Sequence, residues 1–111
     1  MSATSELKVR LTHALIKAKS AGRFESMITS DGGASNFDAP VIYLPKGTRH
    51  EVIKDACKAA ELDCFRWDYT GGWVIMGCGS GQGFDNTVGA ETAEKVLKEY
   101  GFKTGMYYQV D

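Results

Sequence analysis

The chain is expected to be an α+β protein with a ferredoxin-like split β-α-β core, an antiparallel sheet carrying two helices on one face. Three observations lead there. From residue 40 onward the segments run strand, helix, strand, strand, helix, strand. Their apolar periodicity alternates between two residues and 3.6. Proline or glycine stands at most of the boundaries. Residues 1–39 add an N-terminal helix, an edge strand and a loop ahead of the 40–111 core, all within one domain.

The first helix is expected to start at a Ser5 cap and run to about Ala21, with Gly22 as its stop. Leu7, Leu11, Ala14, Leu15 and Ala18 form one stripe at helical spacing, and Val9 and Ile16 lie nearly opposite. A helix apolar on two sides is buried on both or meets another chain. His13 reads as a surface residue. Residues 23–29 read as a short strand pairing in a hairpin with roughly 36–44, across a turn at 30–33. Residues 40–45 form the clearer strand, limited by a proline at each end.

Thr48 and Glu51 spell a capping box for the second helix. Its apolar stripe is Val52, Ile53, Ala56, Cys57 and Ala60, which makes Cys57 a core residue and His50 an exposed one. Residues 64–69 alternate with period two, with Phe65, Trp67 and Tyr69 on one side. A two-residue Gly71-Gly72 loop would pair Tyr69 with Val74, Trp67 with Met76 and Phe65 with Cys78. That apolar surface is expected to lie under the helices. The alternative is an exposed aromatic platform of the kind RNA-binding sheets use.

A glycine-dense stretch at 77–83 leads into a helix from Asn86 or Thr87 to Gly101, with Val88, Ala93, Val96, Leu97 and Tyr100 on its buried side. Residues 102–110 form a last strand, with a bulge expected at Gly105.

Of the 111 residues, 43% are apolar and 24% charged, as in an ordinary globular domain. The net charge of −1 leaves no global field to hold nucleic acid or an anionic membrane. Charge is uneven: Lys8, Arg10, Lys17, Lys19 and Arg23 face only Glu6 within residues 1–23, whereas residues 61–111 are acidic. No apolar run is long enough to span a bilayer. Three cysteines without a Cys-x-x-Cys pair, and no signal-peptide-like start, predict free thiols in the cytoplasm. Cys57, Cys64, Cys78, His13 and His50 match no zinc-ligand spacing, so neither a metal nor a cofactor is expected.

In spelling, residues 74–81 resemble the first motif of S-adenosylmethionine-dependent methyltransferases and, more loosely, dinucleotide-binding fingerprints. The motif falls too late in the chain to open such a sheet, and Ile75 stands where those enzymes usually carry an acid. Residues 42–44 and 72–75 faintly resemble the paired aromatic motifs of RNA-recognition domains, but lack their basic residue and repeated aromatics. Neither family is assigned.

The leading functional expectation is a non-enzymatic regulator or inhibitor that docks on a larger protein or on its own copy. Val9, Ile16, Lys17, Arg66 and Trp73 are its candidate surface residues. A second reading is an anion- or nucleotide-binding module in which Gly79, Ser80, Gly81, Gln82, Gly83, Asn86 and Thr87 cradle the ligand at a helix start. The absence of Lys or Arg from that loop counts against it, as does Asp85. A third is nucleic-acid binding through Arg66, Trp67, Trp73 and Lys17. No catalytic set is visible. Cys78 is the one nucleophile beside the loop, and no histidine is placed by sequence to serve it.

Overall fold

The computed structural model describes residues 2–29, 38–78 and 84–108. Three helices accompany a four-stranded antiparallel sheet: α1 (Ala3–Thr29), β1 (Ala39–Tyr43), α2 (His50–Ala59), β2 (Asp63–Trp67), β3 (Gly72–Met76), α3 (Phe84–Glu99) and β4 (Lys103–Tyr107). The strand order is β2-β3-β1-β4, so the two apolar strands β3 and β1 are central. No described helix is long and apolar enough to cross a membrane.

Alternation along the central strands separates two clusters. Ile42, Trp73 and Ile75 face the helices, and join Leu11, Ala14, Leu15 and Ala18 of α1, Ile53 and Cys57 of α2, and Ala93 and Leu97 of α3. Burying each Leu or Ile among them contributes roughly 1.5–3 kcal/mol, and such burial is the main driving force for the fold. Ala39, Val41 and Val74 point to the opposite face. Val41 and Val74 are nonetheless fully buried, because Tyr43, Trp67, Met76 and Tyr107 pack against them. Phe65, Trp67 and their neighbours therefore lie on the helix-free face, not under the helices. The helix-side area is already filled by the stripes of α1, α2 and α3.

Several local expectations are corrected. Gly22 does not stop α1; it is buried mid-helix, and residues 23–29 continue the helix in place of an edge strand. A Cβ at Gly22 would come within 2.5 Å of the Cys78 carbonyl oxygen and 2.7 Å of that of Gly89, so close approach of backbones, not helix termination, requires glycine there. With Ser26 also buried, the inward stripe simply runs on. The cap is Ser2: its Oγ accepts from the Ser5 N–H at 3.1 Å. The capping box at Thr48 does not form. Arg49 occupies the cap position without a side-chain bond, and the Thr48 hydroxyl donates instead to the Pro45 carbonyl at 2.6 Å.

The β2–β3 register also differs. Trp67 pairs with Gly72, Phe65 with Val74 and Asp63 with Met76. The Trp67 carbonyl accepts from Thr70 N–H at 3.1 Å and Gly71 N–H at 2.8 Å, so residues 68–71 form the turn and Tyr69 leaves the strand, 90% exposed. The shift is even in residue number, so every side chain keeps its face. α3 begins at Phe84, two or three residues earlier than expected, and Tyr100 is exposed rather than buried. β4 pairs continuously with β1 from Ala39↔Tyr107 to Tyr43↔Lys103, with no bulge at Gly105.

Candidate functional site

Among the described residues, the outer side of α1 carries the largest run of exposed apolar side chains. Val9, His13, Ile16, Ser20, Phe24 and Met27 recur every three or four residues and are all exposed, so they share one line along the helix. Val9 is 47%, Ile16 48%, Phe24 60% and Met27 72% exposed, and Ile28 lies beside them at 59%. A cavity of about 360 Å³ borders this line between α1 and α2, lined by Val9, Thr12, His13, Asp55 and Ala59 among others. Large contiguous apolar patches mark contact surfaces, whereas singly exposed apolar side chains are common.

Sequence reasoning found the first half of the line and missed the second, because it ended the helix at Gly22. The signal was partial: Phe24 and Met27 fall at helical spacing from Ile16, with polar Ser20 between. The difference matters energetically. Burying two half-exposed aliphatics contributes roughly 2–3 kcal/mol, below even the ~4 kcal/mol low end of the cost of association. Phe24 and Met27 add two larger and more exposed side chains to the line.

Most of the basic residues of α1 are engaged within the chain. Lys8 meets Asp55 at 3.4 Å. Lys19 donates to the carbonyls of Ala60 and Glu61 at 3.2 and 3.0 Å, and Arg23 Nε to that of Gly77 at 3.1 Å. Lys17 remains exposed beside Ile16.

The other two candidate interface residues belong elsewhere. Trp73 is only 5% exposed and is a core residue. Its ring meets His50 edge-on at 5.1 Å, and the Arg66 guanidinium stands 5.7 Å from its centroid. Arg66 donates to Nε2 of His50 at 3.0 Å; arginine only donates, so this nitrogen carries the lone pair. Sequence separation hid this trio, which the β2–β3 register and the start of α2 bring together.

Gly79, Ser80, Gly81, Gln82 and Gly83, and the side chain of Asn86, lie outside the described residues. Thr87 is described, and its hydroxyl donates to the carboxylate of buried Asp38 at 2.6 Å. Cys78 is buried; desolvation pushes its thiol up to about 12, partly countered by Arg23 and Lys19. A nucleophilic cysteine needs the opposite shift. Cys57 is pushed up by its hydrogen bond with Cys64 and by burial, whereas the same bond lowers half-buried Cys64. Among the described residues, no three His, Cys, Asp or Glu side chains are grouped to hold a metal.

No protein family, no curated protein and no solved structure matches the chain.

Proposed function

We propose that the chain is a small, non-enzymatic, ferredoxin-like interaction module that docks on a larger protein through the outer face of α1. The observation that carries this reading is the line from Val9 to Met27, which leaves four apolar side chains about half exposed or more along one helix. Its partner would offer an apolar groove with an acidic rim, the rim meeting Lys17. The fold part of the reading is supported by the interleaving of the strands. α2 joins β1 to β2 with β3 inserted between them, and α3 joins β3 to β4 with β1 inserted. Cys57, Cys64 and Cys78 are free thiols, which supports a reducing, cytoplasmic location.

Native mass spectrometry of the protein purified gently from its host tests the docking. The expected spectrum holds a stable complex with a second protein, which Ile16→Glu with Phe24→Ser disrupts while leaving the far-ultraviolet circular dichroism unchanged. A homodimer broken by the same substitutions would keep the surface and change the partner to a second copy. A lone monomer, or a complex indifferent to both substitutions, would remove the reading.

A further inference from the structure

A cleft of about 620 Å³ opens at the end of the sheet where β1 leaves and β4 begins. Three turns converge on it: the β1–α2 turn around Lys46, the β2–β3 turn at Thr70 and Gly71, and the α3–β4 corner at Gly101. α1 contributes Arg10 from the side.

The charge of this cleft is one-sided. Arg10, Lys46, Arg66 and Lys103 line it, and among the described residues no Asp or Glu does. The ion pairs among the described residues are Lys8–Asp55 and Lys19–Glu61, which use none of the four. Three of these cations rest instead over aromatic rings. The Arg10 guanidinium carbon lies 4.7 Å from the Phe102 centroid, that of Arg66 5.7 Å from Trp73, and the Lys103 ammonium 5.7 Å from Tyr43. A ring face orients a cation without neutralising it. Four like charges around one cleft repel one another, and an anion entering between them relieves that repulsion.

We propose that this cleft binds a small polyphosphate anion: a nucleoside di- or triphosphate, or an inorganic polyphosphate. The inference goes beyond the docking surface on α1 and does not rest on it. Four positive charges suit a chain of linked phosphates better than a single carboxylate, and arginine forks match phosphate oxygens in pairs. The volume falls in the range of small-molecule sites. A nucleic-acid strand is disfavoured because the basic residues do not continue along the surface. Asp63 and Asp68 stand exposed on and just beyond β2, Glu99 is exposed at the end of α3, and the net charge is −1. The sequence hid the cleft, because its cations lie on four separate segments between residues 10 and 103.

Isothermal titration calorimetry of the full chain with tripolyphosphate and with ATP, at low salt and without divalent metal, tests the site. Saturable binding that weakens as salt rises is expected. The exposed pair Lys46→Gln with Lys103→Gln should weaken it by about tenfold or more, with unchanged circular dichroism, whereas Lys17→Gln on α1 should leave it alone. ATP binding well above tripolyphosphate would assign the nucleoside a share of the contact; equal affinity would make the phosphate chain the whole ligand. Absence of saturable binding to either probe, or equal weakening by Lys17→Gln, would overturn the proposal. So would a single-stranded oligonucleotide that binds more tightly than both.

Discussion

Gly22 lies so close to Cys78 that a Cβ added to it would stand 2.5 Å from the Cys78 carbonyl oxygen. The Gly89 carbonyl would be 2.7 Å from the same atom, so the new methyl group would be caught between two backbones. Neither obstacle is a flexible side-chain tip. Gly22→Ala is therefore expected to destabilise the protein by about 1–3 kcal/mol through forced separation of α1 from α3 and β3. A urea titration followed by circular dichroism measures this. An unchanged midpoint would mean that the backbones part without cost.

Glu61 offers a change in the other direction. It ends α2 with φ 58, in the left-handed region, where a side chain clashes with the following carbonyl. The Leu62 N–H bonds the Cys57 carbonyl at 2.8 Å and the Glu61 N–H bonds that of Lys58 at 3.1 Å, the double closure that glycine usually serves. Glu61→Gly should raise stability by about 0.5–1 kcal/mol. The Lys19–Glu61 contact, 3.9 Å long with the Glu61 side chain exposed, contributes too little to offset that. A lower thermal midpoint in the variant would contradict it.

The thiols should react in a set order. Cys64 is half-buried and its thiol is lowered by the hydrogen bond with Cys57, while Cys57 and Cys78 are buried and raised. Iodoacetamide at neutral pH should label Cys64 first, and the other two only on unfolding. Peptide mass mapping over time reads this directly, and early labelling of Cys78 would be the adverse result.

Cys78 also predicts an alkaline limit. Its folded value of about 12 lies above the ordinary 9.0 of a thiol, so the folded state holds its proton over a range in which the unfolded chain has lost it. Stability from this group is fully present below pH 9 and declines as pH climbs toward 12. Cys78→Ala should flatten that decline in urea midpoints measured between pH 8 and 11. A slope identical to the parent protein would assign the alkaline loss to other groups.

On the helix-free face, Tyr107 meets the Trp67 ring edge-on at 5.0 Å and the Phe65 ring at 5.8 Å. Two such pairs are worth about 0.5–1.5 kcal/mol each. Tyr107→Leu keeps an apolar cover over Val41 and Val74 but removes both pairs. It should cost at least about 1 kcal/mol and weaken the tryptophan band of the near-ultraviolet circular dichroism. Retention of that band would show that Trp67 is held by other neighbours.

Elements whose signals are local were legible in the sequence. The stripe from Leu11 to Ala18, the stripe from Val52 to Ala60 and the stop at Gly101 depend on spacing within one segment, and all three appear in place. The same spacing sets Val9 and Ile16 opposite the first of these stripes without saying whether they are buried, and the structure exposes both. Signals that depend on what stands opposite were not legible. Gly22 reads as a helix stop until the carbonyls of Cys78 and Gly89 are seen against it. Phe65 and Trp67 read first as core beneath the helices and only alternatively as an open face, since period-two alternation separates two sides without saying which one the helices take.

Residue spacing by itself thus determined the order and kind of most elements, the inward stripe of α2 and that of α1 as far as Ala18, because helical and strand periodicities are properties of the backbone. Tertiary structure decided the rest: that α1 runs on to Thr29, that the aromatic side of β2 lies away from the helices, and that Arg10, Lys46, Arg66 and Lys103 meet at one cleft. Those outcomes come from packing between segments far apart in the chain, where close contact and like charge depend on three-dimensional neighbours that a linear pattern does not record.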